Sequence, residues 1–164
     1  MMKNILLVIF IFLSLQSCEK EILSEFPSVA LQEKMQTIDG ETIEFEKILK
    51  KYKGNTIFID IWASWCPDCI EGIPKVKEIQ KNHPELTYLF LSLDRKITSW
   101  KAGIQKYKLI GEHYYVPSGM KGTFGKAIGI NWIPRYMVVN PDGSIKLFEA
   151  TTTTEKSLLE AIKQ

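Results

Sequence analysis

The chain has 164 residues, of which 45% are hydrophobic and 24% charged, and its formal net charge is +2. This length is enough for one domain with a substantial hydrophobic core, and the composition is that of an ordinary globular protein. The small net charge does not favour a nucleic-acid partner or a strongly basic membrane-binding patch, so we expect neither.

The N-terminus has the pattern of a secretory signal. A basic residue, Lys3, precedes an unbroken apolar run over 5–13, which is too short to span a bilayer, because a spanning helix needs about 20 residues. Residues 15–18, Leu-Gln-Ser-Cys, resemble the bacterial lipoprotein box. The resemblance implies that residues 1–17 are removed and that Cys18 is lipidated, which would account for the odd number of cysteines. The alternative is a plain signal peptide with Cys18 free or disulfide-bonded.

The segment after Cys18 has no clean hydrophobic period. We interpret residues 18–30 as a lipidated cysteine with a tether and residues 31–164 as one domain. Twelve extended residues reach about 40 Å, which would let the domain meet partners above a membrane surface. The expected location is the bacterial cell envelope, with the lipid-anchored domain facing the periplasm or the exterior.

The spacing of hydrophobic residues and the positions of turn-forming residues predict a series of strands and helices. The predicted strands are 35–38, 41–45, 56–63, 86–93, 113–116, 136–140 and 144–150. The predicted helices are 46–51, 67–82, 97–108, 121–128 and 154–163. Thr153 or Thr154 is expected to cap the last helix. The strand over 56–63 is apolar almost throughout, as in a buried strand of an α/β sheet, and Asp60 is the exception.

The central strand leads directly into a C-x-x-C sequence, Cys66 to Cys69, and then into the helix over 67–82. Cys66 is therefore expected at the helix N-terminus, where unpaired N–H groups and the helix dipole stabilise a thiolate. A C-x-x-C dithiol at such a position has a lowered first pKa, and the thiolate is the nucleophile in disulfide exchange. Cys66 is the expected attacking thiol, and Cys69, one turn further on, is the expected resolving thiol.

At these residues the sequence resembles the thioredoxin superfamily, and more closely its membrane-tethered TlpA/ResA-like branch. The matching features are Trp65 before Cys66, Asp60 six residues before Cys66, Pro74 five residues after Cys69, and Ile133-Pro134 followed by an apolar strand. The resemblance covers roughly residues 37–164. It implies an α/β, thioredoxin-like fold in which helices flank a mixed central β-sheet, with an N-terminal hairpin and a central αβ insertion at roughly 97–118.

The resemblance also implies roles for residues outside the C-x-x-C sequence. Pro134 would be a cis-proline packed against the disulfide, and the backbone of Ile133 would pair with a substrate strand. Asp60 would accept the proton of Cys69, because burial raises the pKa of a carboxyl group. The lysine that thioredoxins place beside this aspartate aligns with Phe90, so a counter-charge is missing. The alternatives are a trans-proline at a strand start and a capped or solvent-reaching carboxylate.

Substrate contacts are expected from Trp65, Pro67, Asp68 and Ile133. Asp68 is unusual, because a carboxylate between the cysteines disfavours a neighbouring thiolate and would raise the pKa of Cys66. Alternatively, Asp68 is an exposed acid in the first turn that merely suits the helix dipole.

The resemblance implies a thiol–disulfide oxidoreductase without a cofactor or bound metal, with reduction as the expected direction. Its partners would be protein thiols and disulfides and a membrane electron donor or acceptor. A structural disulfide is one alternative, and a thiol peroxidase is another, although the signature threonine of that class is replaced by Ala63. A copper-binding lipoprotein similar to the Sco group would have three residues between its cysteines. A zinc site would need ligands beyond the two cysteines, and His83 and His113 lack ligand spacing.

Overall fold

The structure is a computed structural model that describes residues 23–163. The predicted signal peptide over 1–17 and the predicted lipidation site Cys18 lie outside the described residues. In chain order the elements are α1 (Ser28–Leu31), β1 (Lys34–Gln36), β2 (Thr42–Glu44), α2 (Phe45–Lys51), β3 (Ile57–Trp62), α3 (Pro67–Asn82), β4 (Thr87–Ser92), α4 (Ile97–Tyr107), β5 (Glu112–Tyr115), α5 (Thr123–Ala127), β6 (Arg135–Val139), β7 (Ile145–Ala150) and α6 (Lys156–Ala161).

The strands form one mixed sheet in the order β2-β1-β5-β4-β3-β6-β7. Strands β3, β4 and β5 are parallel, while β6, β7 and the β1–β2 hairpin join by antiparallel pairing. The hairpin and the inserted α4–β5 unit are present where the sequence predicts them. Strand β3 is buried along its whole length between β4 and β6, which explains its nearly continuous apolar sequence.

Helices α3 and α4 cover the face of the sheet that carries Asp60. Asp60 and Trp62 point to the same face because side chains alternate along a strand. Tyr136, directly opposite Asp60 in β6, reaches α3, since a Cβ atom added at Gly72 would lie 2.5 Å from its hydroxyl oxygen. A Cβ atom added at Gly103 of α4 would lie 3.0 Å from the Trp62 ring. The two glycines therefore let the helices approach these aromatic side chains closely.

The start of the described chain packs against the domain, whereas the sequence suggested a tether up to residue 30. Phe26 is buried with its ring edge-to-face on Phe45, at 5.0 Å between centroids, and Phe45 meets Phe124 at 5.2 Å. These contacts join the segment before α1 to α2 and α5, and each aromatic pair contributes about 0.5–1.5 kcal/mol beyond area burial. The four-residue helix α1 was missed because it is too short to show a period.

The described chain begins at the end of the sheet opposite the C-x-x-C sequence. The N–H of Ile145 at the start of β7 donates to the carbonyl of Ser24 at 2.7 Å. Ile145 lies beside Val139, which pairs with Ile57 at the beginning of β3. Cys66 follows the other end of β3, so β3 separates Ser24 from the cysteines.

The capping prediction for the last helix is wrong. Glu155, not Thr153 or Thr154, occupies the N-cap position of α6. Its carboxylate accepts hydrogen bonds from the N–H groups of Thr151 at 2.6 Å and Thr152 at 3.0 Å. The Glu155 side chain makes no capping hydrogen bond to a backbone N–H group of α6. Its bonds to Thr151 and Thr152 hold the turn that precedes the helix, and they lower the pKa of Glu155. Within the described residues, no helix is both long and apolar enough to cross a bilayer.

Candidate functional site

The C-x-x-C pair lies at the junction of β3 and α3. Cys66 is the N-cap residue, and α3 begins at Pro67, a position where the missing N–H of proline costs nothing. Cys66 and Cys69 form a disulfide with their Cα atoms 5.3 Å apart. The N–H of Cys69 donates to Cys66 Sγ at 3.2 Å. A free donor of the first helical turn is therefore directed at this sulfur, which is the arrangement that stabilises a thiolate.

The two cysteines differ in access although both are largely buried, at 4% and 3% exposure for Cys66 and Cys69. Cys66 lines an open groove of about 460 Å³ that also contacts Trp65 and Ile133, whereas Cys69 does not line it. A partner molecule can therefore reach the sulfur of Cys66 first.

The loop with Ile133 and Pro134 lies against the disulfide. The Ile133–Pro134 peptide bond is cis, in agreement with the sequence prediction. The carbonyl oxygen of Ile133 is 3.5 Å from Cys66 Sγ, and both loop residues are buried. Strand β6 follows immediately, so its pairing with β3 fixes the loop beside the cysteines.

A buried arginine braces this loop, and the sequence reasoning did not single it out. Arg135, directly after the proline, is fully buried and forms an ion pair with Glu149 at 2.9 Å. The same guanidinium donates to the carbonyl oxygen of Gly129 at 3.4 Å and lies over the ring of Phe148 at 5.6 Å. It thus joins the start of the loop, at Gly129, to its end. The sequence feature that could have indicated this role is the single charged residue, Arg135, at the start of the apolar strand β6.

A second unforeseen brace holds the loop that precedes Cys66. The buried carboxylate of Asp94 accepts hydrogen bonds from the Ser64 N–H at 3.1 Å and from its hydroxyl at 2.7 Å. The hydroxyl of Ser92 donates to the same carboxylate at 2.8 Å. This places a side chain from the end of β4 under the loop between β3 and α3. An aspartate directly after an apolar strand was the signal in the sequence.

Asp60 is buried on the α3 side of the sheet. Its Oδ1 atom has no hydrogen-bond partner within the described part of the chain, and burial raises the pKa of this carboxyl group to about 8. Its neighbours in register are Phe90 of β4 and Tyr136 of β6. Phe90 therefore lies beside the Asp60 carboxyl group, at the position that the resemblance assigns to a lysine in thioredoxins.

Across the sheet from Asp60, the residue after Phe90 is His113 of β5, and it supplies no counter-charge either. His113 pairs with Phe90 in register, and the two rings stack at 5.0 Å between centroids. Burial lowers the pKa of His113, so its imidazole is neutral at pH 7. Two strand spacings separate it from Asp60, or roughly 10 Å. Desolvation therefore keeps most of the Asp60 carboxyl group protonated at pH 7, with about a tenth of it ionised for a pKa of about 8.

Three tryptophans near the site have different surroundings. Trp62 is core, packed under α4, whereas Trp65 is 53% exposed and Trp132 is 58% exposed. Trp65 and Trp132 line the groove that contains Cys66, and the sequence reasoning did not single out Trp132. The groove is lined by Trp65, Cys66, Pro67, Asp68, Met120, Asn131, Trp132 and Ile133. The sequence predicted substrate contacts from four of these residues, Trp65, Pro67, Asp68 and Ile133, and the structure brings them to one groove.

Comparison with known proteins agrees with this geometry. A family model described as thioredoxin-like matches residues 54–145. The thiol-disulfide oxidoreductase ResA of Bacillus thuringiensis subsp. konkukian is 25% identical over 129 residues, which are 77% of this chain and 70% of that protein. The thiol:disulfide interchange protein DsbE of Haemophilus influenzae is 28% identical over 112 residues, 68% of this chain and 59% of that protein.

The solved structures that resemble this one have the same architecture. A solution structure described as a thiol-disulfide oxidoreductase from Bacteroides vulgatus superposes with a TM-score of 0.67 at 29% identity and covers 87% of this chain and 90% of that chain. A thiol-disulfide oxidoreductase from Bacteroides fragilis shares the fold with a TM-score of 0.66 at 21% identity and covers 79% of this chain and 93% of that chain.

The sheet order, the disulfide at a helix N-terminus and the proline loop against it define the class of thioredoxin-like thiol–disulfide oxidoreductases. The family model covers more than half of the sequence. The chain belongs to the thioredoxin-like family.

Proposed function

We propose that this protein exchanges its Cys66–Cys69 dithiol and disulfide with cysteines of other proteins and acts as a reductant outside the cytoplasm. The observation that carries the proposal is the position of Cys66 Sγ, which accepts the Cys69 N–H at 3.2 Å and faces an open groove beside the Ile133–Pro134 loop. Only a sulfur that is both stabilised as a thiolate and accessible can start the exchange.

The first step is attack of the Cys66 thiolate on a substrate disulfide. A bond forms between Cys66 Sγ and one substrate sulfur, and the other substrate sulfur leaves as a thiolate that takes a proton from water. The Ile133 backbone and the groove residues Trp65, Pro67 and Asp68 hold the substrate chain at this stage. Pro134, which has no N–H of its own, leaves the neighbouring backbone to pair with the substrate strand.

The second step releases the substrate. The ionised fraction of Asp60, about a tenth at pH 7 for a pKa of about 8, takes the proton of Cys69, whose thiolate attacks Cys66 Sγ, and the second substrate sulfur leaves as a thiolate. Two electrons have then passed from the dithiol to the substrate disulfide, and the protein holds the Cys66–Cys69 disulfide. The pKa of Asp60, about 8, is close to that of an ordinary thiol at about 8.5, so the proton transfer is nearly balanced.

The N-terminal sequence supports the proposed location of the activity. We propose that Cys18 carries the lipid that holds the protein at the cell envelope, and that a membrane protein supplies or accepts its electrons. Two or more acyl chains give stable attachment, whereas a single chain gives marginal binding. A Cys18→Ser variant of the full chain should leave the membrane fraction in cells, and metabolic labelling with a fatty-acid analogue should mark only the unmodified protein.

The decisive experiment traps the exchange intermediate. A Cys69→Ser variant of the full chain should accumulate mixed disulfides between Cys66 and substrate proteins in cells, because the resolving thiol is absent. A Cys66→Ser variant is the matched control and should trap far fewer, since Cys69 does not face the groove. Absence of adducts in Cys69→Ser cells, while the unmodified protein reduces disulfides, would contradict the proposed exchange.

The direction of electron flow is tested by the reduction potential of the pair. A value near −270 mV, as in thioredoxin, supports reduction, and a value near −120 mV, as in the strong periplasmic oxidant, would mean that the protein forms disulfides instead. Peroxide turnover or stoichiometric copper on the two cysteines would favour the alternative peroxidase or copper-binding functions.

A further inference from the structure

The groove beside Cys66 has two large aromatic side chains at its rim that are more than half exposed within the described part of the chain. Trp65 and Trp132 are 53% and 58% exposed, and both line the groove. Exposed tryptophans of this size are typical of the anchoring residues of interfaces, where a partner buries them. Met120 and Ile133 complete the apolar part of the lining.

The same groove contains one charged side chain, Asp68. Asp68 is exposed and forms no ion pair within the described part of the chain. A separate groove of about 430 Å³ shares Trp65 and contains two basic side chains, Arg95 and Lys96, with one carboxylate, Asp94. The groove with Asp68 is therefore acidic and aromatic, whereas the neighbouring groove is net basic.

We propose that this groove selects substrates with an arginine or lysine next to the cysteine under attack. The inference rests on the proposed exchange reaction and specifies its substrate class. A guanidinium or ammonium group is attracted to the face of a tryptophan ring, and the carboxylate of Asp68 adds a charge contact. Arg95 and Lys96 repel a cation, so the basic residue is directed to the Trp132 side.

The effect of this recognition is expected on the first step of the exchange. The cation binds where the substrate sulfur must approach Cys66, so it raises kcat/KM for attack on the substrate disulfide. One cation–aromatic contact with one partly exposed charge contact corresponds to about a tenfold preference over an uncharged residue of similar size. Asp68 and Trp132 are specificity residues in this account, and the chemistry of the thiols is unchanged.

The test measures reduction of short peptides whose single cysteine is disulfide-bonded to glutathione. The residue beside the cysteine is arginine, norleucine or glutamate, on either side in separate peptides, and oxidised glutathione serves as a substrate without a peptide chain. The full-length protein should reduce the arginine peptide about tenfold faster than the norleucine peptide and the glutamate peptide slowest of all. The preference should diminish at high salt, because Asp68 is exposed.

The variants Asp68→Asn and Trp132→Ala should each bring the rate for the arginine peptide close to that for the norleucine peptide. The readout is the ratio of these two rates within each variant, so a change in the reactivity of Cys66 that affects both peptides cancels. Ile110→Ala is the matched control, since Ile110 is a large apolar side chain that is 74% exposed and does not line the groove. Equal rates for all peptides, a faster norleucine peptide, or a preference that survives both variants would overturn the inference and leave the exchange reaction intact. Failure to reduce every substrate, oxidised glutathione included, would overturn the proposed function as well.

Discussion

Replacement of the buried carboxyl group by an amide, Asp60→Asn, should stabilise the oxidised protein increasingly as the pH rises. Asp60 is buried without a counter-charge in its row of the sheet, so the folded state disfavours the ionised form. The unfolded chain has no such restriction. Ionisation above the ordinary carboxyl pKa therefore favours unfolding, and an asparagine of nearly the same shape removes this effect.

The magnitude follows from the two pKa values. The unfolded carboxyl group ionises near its ordinary pKa of 3.8, whereas the folded one keeps its proton until about 8. Below pH 4 the carboxyl group is protonated in both the folded and the unfolded state, so it does not lower the free energy of unfolding. Between pH 4 and pH 8 only the unfolded state ionises, and the free energy of unfolding falls as the pH rises. Each pH unit in this window corresponds to about 1.4 kcal/mol, so wild-type protein loses about 4 kcal/mol of unfolding free energy from this group by pH 7.

The assay is urea unfolding of oxidised wild-type protein and the Asp60→Asn variant at several values between pH 4 and pH 8. The difference in unfolding free energy between them should start near zero and grow to about 4 kcal/mol at pH 7. Asp142→Asn is the control with the opposite sign. Hydrogen bonds from Ser144 lower the pKa of this exposed carboxyl group, so its contribution is lost as the pH falls.

A stability difference that does not change between pH 4 and pH 8 would refute the reasoning, because desolvation of Asp60 could not then be the cause. The same variant should also slow closure of the Cys66–Cys69 disulfide from a mixed disulfide, by about 10²–10⁴-fold for loss of a general base. Rapid-quench mass analysis measures that step separately from the initial attack.

Two further substitutions test the surroundings of the site. Phe90→Lys should place a cation beside Asp60 and lower the pKa of that carboxyl group by about 1–3, which infrared titration of the carboxyl stretch would detect; an unchanged midpoint would contradict it. Glu149→Gln should weaken the support of the Arg135 guanidinium, reduce the unfolding free energy by about 1–3 kcal/mol in urea, and raise KM for protein disulfides more than for oxidised glutathione. Equal changes in KM for both substrates would argue against a role in holding the proline loop.

Short motifs in the sequence predicted the chemical centre well because their geometry is local. A C-x-x-C sequence at the end of an apolar strand places Cys66 at a helix N-terminus, and the bounds of α3 agree with the prediction. The isolated charge in β3 likewise predicted the burial of Asp60. Both inferences needed only the chain on either side of the residue concerned.

The braces could not be predicted in the same way, because their partners are distant in sequence. Asp94 meets Ser64 only because β3 and β4 are adjacent and parallel, and Arg135 meets Glu149 only through the β6–β7 pairing. A sequence pattern identifies strands but not which of them are neighbours. The predicted cap of α6 was wrong because the N–H groups of Thr151 and Thr152 bond the Glu155 carboxylate in a turn, and the helix begins only at Lys156.

The contact between Ser24 and Ile145 fixes where the N-terminal segment joins the domain, which is the end of the sheet away from the cysteines. Ser24 lies at the opposite end of the central strand from Cys66, and six peptide units separate it from Cys18, a reach of at most about 20 Å. With the lipid that we propose at Cys18, the anchored segment would join the domain at the end of the sheet away from the cysteines. The groove would then face the aqueous compartment, and a membrane electron partner of the kind we propose would need a soluble domain to reach it.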